Sequence, residues 1–109
     1  MNQLTQEEAE RCARVIDAQL GENPYTHDEA YIIDGTWYEL DSLPLDPLFW
    51  FPRLWVRLKE IIAGKVQWNL ELHLNPTLHT VWIEYNRPIG EGKDEIEALC
   101  SAIESLLKG

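Results

Sequence analysis

A chain of 109 residues that is 45% hydrophobic and carries five tryptophans is long enough for one cored domain, residues 1–109, and too apolar for a disordered tail. Its formal net charge of −10 speaks against direct nucleic-acid binding, which needs clustered Lys and Arg opposite phosphates. No run of about 18 apolar residues exists, so a membrane span is not expected. The polar start "MNQLTQEEAER" is unlike a signal peptide, which makes the cytoplasm the expected compartment.

Thr5 and Glu8 have the spacing of a capping box, and Ala9, Cys12, Ala13, Ile16 and Leu20 follow at helical period. This predicts an amphipathic helix over about residues 5–20, stopped by Gly21. After the loop "GENPYTHDEA", Asp34-Gly35 lies between two β-rich runs. That pair suits a type I′ turn, so Tyr31–Ile33 and Thr36–Leu40 are read as a hairpin.

In "DPLFWFPRLWVRLKEII", Asp46 and Pro47 could open a helix, but Pro52 would then fall in its interior at a cost of about 3 kcal/mol. A turn near residues 46–50, with the helix starting at Pro52, avoids that cost. Leu54, Trp55, Leu58, Ile61 and Ile62 then share one face, and Gly64 closes the helix. Phe49, Trp50 and Phe51 precede it, and two readings stay open for them: packing under the hairpin, or at least one ring exposed to anchor a partner.

"KVQWNLELHL" alternates without error, and "HTVWIEYN" returns after "NPTL". The pattern fixes a register in which Leu72 faces Val81, Leu70 faces Ile83 and Trp68 faces Tyr85 on the apolar side. His73–Thr80 and Glu71–Trp82 are pairs on the wet side. "PIGEGK" reads as a loop, and a last helix runs from about Asp94 to Leu107 with Ile96, Leu99, Cys100, Ile103 and Leu107 as its stripe. The expected fold is α+β in the order α-β-β-α-β-β-α: an antiparallel four-stranded sheet with three amphipathic helices.

Chemistry is hard to find in this order. His73 and His79 fall on opposite sheet faces, and His27 in "THDEAY" has no metal-binding spacing, so no metal or cofactor is expected. "GEGK" lacks the P-loop spacing, no Gly-x-Ser-x-Gly elbow occurs, and Glu71 and Glu84 sit on a wet face where little would shift their pKa values. Cys12 and Cys100 read as buried free thiols, which could bridge only if their helices pack side by side. An enzyme is not expected.

Charge distribution is more informative. Between Arg14 and Arg53 there is no Lys or Arg, while Asp17, Glu22, Asp28, Glu29, Asp34, Glu39, Asp41 and Asp46 crowd that interval. A solvated acidic surface is the bland reading. The sharper one is a surface for a protein partner with a basic face, with nucleic-acid mimicry as a narrower variant. In that reading Asp28, Glu29, Asp34, Glu39, Asp41 and Asp46 steer the encounter, and Trp37, Tyr38, Phe49 and Trp50 supply affinity. Trp82, an indole on the wet strand face, needs cover from this chain or from a second copy, so the alternative is an assembly subunit that dimerises through the 65–87 hairpin.

"PRLWVRLKE", "VQWNLELHL" and "EIEALCSAIESLL" together resemble the small proteins of the phage ABA sandwich family over about residues 52–107. Trp55, Ala98, Leu99, Cys100 and Ala102 occupy the family's positions in its Trp-bearing helix and its A-[IL]-C-x-A pattern. The resemblance implies a phage or prophage origin, a helix–sheet–helix layering and no established activity. The reading as a whole is a non-enzymatic acidic protein-binding module, an accessory or inhibitor protein acting on a host or phage protein, as monomer or homodimer.

Overall fold

A computed structural model describes residues 3–63, 71–74, 79–84 and 87–108. In chain order these form α1 (Gln6–Val15), β1 (Gln19–Glu22), β2 (Glu29–Ile33), β3 (Thr36–Glu39), α2 (Pro47–Ile62), β4 (Glu71–Leu74), β5 (His79–Glu84), β6 (Arg87–Gly92) and α3 (Glu95–Lys108). The α+β class holds, but the single four-stranded sheet does not. The strands make two separate antiparallel sheets, β1-β2-β3 and β4-β5-β6.

The first extra strand exists because α1 ends early. Its capping box is complete: Thr5 Oγ1 accepts from Glu8 N–H at 3.2 Å, and Glu8 Oε1 accepts from Thr5 N–H at 2.9 Å. At the other end Asp17 takes φ 59°. Its N–H donates to the carbonyl of Arg14 at 3.1 Å, and that of Ala18 donates to Ala13 at 3.0 Å. This is a Schellman cap with Asp in the place usually held by Gly. Residues 19–22, the first two of them expected in the helix, therefore pair with β2, and Leu20 is left 46% exposed.

The hairpin forms as expected. Asp34 and Gly35 take φ 52° and 80°, the positive values a type I′ turn requires, and Tyr31 pairs with Tyr38 and Ile32 with Trp37.

For α2 the expected start at Pro52 is corrected to Pro47. Asp46 caps it by accepting from Leu48 N–H at 2.9 Å, and Pro47 occupies the first turn, where its missing N–H costs nothing. Pro52 is interior. Its cost is offset by burial on both sides of it, since Trp50 before it and Leu54 and Leu58 after it are fully buried. Among the described residues, no helix is long and apolar enough to cross a membrane.

In the second sheet, Glu71 pairs with Trp82, Leu72 with Val81, His73 with Thr80 and Leu74 with His79, the expected register. The expected pairs Leu70–Ile83 and Trp68–Tyr85, and the helix stop at Gly64, lie outside the described residues. All but the last residue of the segment read as the loop "PIGEGK" belongs to β6, whose pairing with β5 shifts register around Trp82. Two glycines make that strand usable. A Cβ at Gly90 would lie 2.6 Å from the carbonyl oxygen of Ala98, and one at Gly92 would lie 2.6 Å from Glu97 Cβ. Bare backbone thus rests directly on α3, whose Ala98 and Ala102 are fully buried. Pro88 is tolerated because β6 is an edge strand.

Asp94 caps α3, its Oδ1 accepting from Glu97 N–H at 2.8 Å. Ile96, Ala98, Leu99, Cys100, Ala102 and Ile103 then enter a core shared with Ala9, Cys12, Ala13 and Val15 of α1 and with Trp50, Leu54 and Leu58 of α2. Leu107, expected in the stripe, is 55% exposed.

Candidate functional site

The register of the first sheet sorts the expected contact residues onto two faces and two ends. Trp37 lies opposite Ile32, so it shares a face with Ala30, Glu39 and Gly21. The indole reaches across that face: a Cβ at Gly21 would meet Trp37 Cη2 at 3.5 Å, and Ala30 beneath is fully buried. Trp37 itself is half-buried. Tyr38 is on the other face, where its ring meets Phe49 of α2 edge-on at 5.7 Å and 68°.

Phe49 is a structural hub rather than a free anchor. Beyond Tyr38, it meets the Trp50 ring edge-on at 4.8 Å and carries Arg53 Cζ 3.8 Å above its centroid. Trp50 is corrected outright. It is fully buried, and its Nε1–H donates to the carbonyl of Pro44 at 2.7 Å, so it holds the 40–46 segment to α2 and offers nothing to a partner.

Two of the expected acids have internal work. Asp34 accepts from Arg53 Nε at 3.0 Å and Nη2 at 2.6 Å, and Asp46 is the α2 cap. Asp34 lies at the turn end of the first sheet, and Asp46 stands at the N-terminus of α2. Trp82 lies on β5, in the other sheet, opposite Glu71.

The opposite end of the first sheet is different. The β1–β2 loop and the end of β3 meet there, which gathers Glu22, Asp28, Glu29, Glu39 and Asp41. All but the half-buried Glu39 are exposed. Glu22 and Glu29 are direct partners across β1 and β2, a like-charge pairing that a sheet ordinarily avoids. His27, in the left-handed region at φ 65°, brings Nδ1 within 2.9 Å of Glu22 Oε1. Asp41 accepts from its neighbour Ser42 Oγ at 3.3 Å.

The loop that carries this end is tightly built. Asn23 is buried; its Oδ1 accepts from Tyr25 N–H at 2.9 Å, its N–H donates to Asp28 O and its carbonyl accepts from His27 N–H, both at 2.8 Å. Thr26 Oγ1 accepts from Asp28 N–H at 3.3 Å. At its tip Tyr25 is 87% exposed. Tyr25 and Leu20 were not among the residues expected to contact a partner, whereas Glu22 belonged to the acidic interval. "NPYTHD" nevertheless carried the signal, because a tyrosine between turn formers has no strand or helix face along which to be buried.

A shallow hollow of about 350 Å³ lies beside the acids, lined by Leu20, Gly21, Glu22, His27 and Glu29. Among the described residues, no group of three or more His, Cys, Asp or Glu side chains is arranged to hold a metal ion. This end of the sheet offers charge, the exposed ring of Tyr25, the half-buried indole of Trp37 and some apolar surface.

No family model, no curated protein and no solved structure matches the chain.

Proposed function

We propose that the chain is a non-enzymatic acidic protein-binding module whose contact surface is the far end of the first sheet. The observation that carries the reading is the exposed set Glu22, Asp28, Glu29 and Asp41, with Tyr25 exposed on the β1–β2 loop and Glu22 and Glu29 paired against each other across the strands. A like-charge cross-strand pair costs stability in the free protein. A partner's Lys or Arg would relieve that repulsion, so binding gains more here than at dispersed surface acids. Tyr25 and the edge of Trp37 supply apolar contact, while Leu20 borders the hollow. The partner is a protein with a basic face, and the resemblance of residues 52–107 to phage ABA sandwich proteins supports a phage or prophage accessory or inhibitor as the setting.

The test compares the wild-type chain with a variant neutralised by Glu22→Gln, Asp28→Asn, Glu29→Gln and Asp41→Asn, each immobilised against host and infected-cell lysates. A basic protein held by the first, released by moderate salt and lost from the second supports the reading. Identical retention by both, or none by either, removes it.

A further inference from the structure

Two buried thiols belong to no part of the surface described above. Cys12 of α1 and Cys100 of α3 bring their Sγ atoms to 3.7 Å, and their residues are 0% and 1% exposed. Both are free. The relative placement of the two helices is set by a second contact one turn away: Arg11 and Glu104 form an ion pair across them, with Nε also donating to Oε1 at 3.1 Å. Arg11 precedes Cys12, and Glu104 follows Cys100 by four residues, so the ion pair outside and the thiols inside fix the same helix rotation.

We propose that Cys12 and Cys100 are a redox-closable staple: a peroxide converts the pair to a disulfide that locks α1 onto α3. A disulfide needs the sulfurs about 1.7 Å closer than they stand, and rotation of the two side chains about χ1 supplies a displacement of that order. One sulfur attacks a peroxide oxygen, the O–O bond breaks, and water leaves with the thiol proton, giving a sulfenic acid. The second sulfur attacks the sulfenic sulfur, the S–O bond breaks, and a second water leaves with the second proton. In sum, two thiols lose two electrons and two protons, and hydrogen peroxide becomes two waters.

Burial sets the rate. With α1 seated, the oxidant has no path to either sulfur, and the Cys12 thiol, held up by its hydrogen bond to Cys100 and by burial, supplies almost no thiolate. Closure therefore waits on transient lifting of α1. Once formed, the bond ties residue 12 to residue 100 and encloses both sheets and α2 between them.

The full chain is incubated with hydrogen peroxide at 25 °C and again a few degrees below its melting midpoint. Three results are expected. The monomer loses the mass of two hydrogens, faster at the higher temperature. A non-reduced peptide map shows Cys12 joined to Cys100. The melting midpoint rises by at least about 8 °C and returns on treatment with dithiothreitol. Cys100→Ala and Cys12→Ala give no such shift; should either fail to fold, the wild-type peptide map decides alone. Sulfinic acids or intermolecular dimers without the Cys12–Cys100 peptide, no linked species at either temperature, or linkage with no rise in midpoint would each overturn the proposal.

Discussion

Asp34, at the positive-φ corner of the β2–β3 turn, holds Arg53 of α2 through both Nε and Nη2. The same guanidinium lies over the Phe49 ring and donates from Nη1 to the Phe49 carbonyl at 2.6 Å. The hairpin is thereby fastened to the helix by a residue with three uses. Because the Asp34 side chain is 70% exposed, the ion pair alone is worth less than about 1 kcal/mol. Arg53→Ala should therefore cost about 1–2 kcal/mol in urea unfolding, and Asp34→Asn, which keeps the left-handed turn, about 0.5 kcal/mol. Equal losses would mean that the contacts to Phe49 contribute nothing.

Trp50→Phe tests the buried indole. The substitution removes the donor to Pro44 O and leaves a small cavity among Leu54, Leu58 and their neighbours, for an expected loss of about 2–3 kcal/mol. Chemical denaturation measures it. A loss below about 0.5 kcal/mol would show that the segment 40–46 is held by other contacts.

Much of this architecture was legible wherever one period dominated. The 71–74 and 79–82 register followed from strict alternation, and the hairpin turn from the two residues able to take positive φ together. What misled was local punctuation with tertiary causes. Gly21 resembled a helix stop, yet Asp17 ended α1 four residues sooner because its own N–H and that of Ala18 found carbonyls in a Schellman cap. Pro52 resembled a helix start, yet burial of Trp50 outweighed its cost. "GEG" resembled a loop, because nothing in the sequence shows that α3 presents Ala98 and Ala102 to it. At the contact surface, charge counting identified the acidic interval but could not separate Asp34 and Asp46, which are engaged internally, from Glu22, Asp28, Glu29 and Asp41, which gather at one sheet end.

Gly90→Ala should be among the most damaging single-methyl changes in the chain. The added carbon would press on the carbonyl of Ala98 and the backbone of Ala102, neither of which is a flexible side-chain end. A destabilisation of about 2–3 kcal/mol is expected, with a melting midpoint lowered accordingly. Ala102→Gly in the same chain should not restore it, because the obstruction is backbone.

Stability should also fall at alkaline pH in a way that traces to Cys12. Its thiol pKa is raised in the folded chain, first by the hydrogen bond with Cys100 and then by burial. The folded state therefore keeps a proton that the unfolded state releases once pH passes the ordinary thiol value of 9.0. Below that value the contribution is fully present; above it, unfolding becomes easier by up to about 1.4 kcal/mol per pH unit. Urea midpoints between pH 8 and 10 should decline in the wild type and decline less in Cys12→Ala. Parallel slopes would assign the alkaline loss to other groups.

Glu29→Lys separates stability from recognition. Replacing one member of the Glu22–Glu29 pair by a cation turns a repulsive cross-strand pair into an attractive one, worth about 0.5–1 kcal/mol of added stability. If the proposed surface is the working one, the same variant should lose capture of the basic partner. A more stable protein that still binds would move the contact surface elsewhere.

The position of α3 has a consequence for how the protein is made. It touches α1, α2, β5 and β6, and it supplies Ile96, Leu99 and Ile103 to the interior. All four of those elements leave the ribosome before it does. Until residue 103 emerges, the apolar sides of α1 and α2 have no lid, and the nascent chain is at its most vulnerable to chaperone capture or self-association.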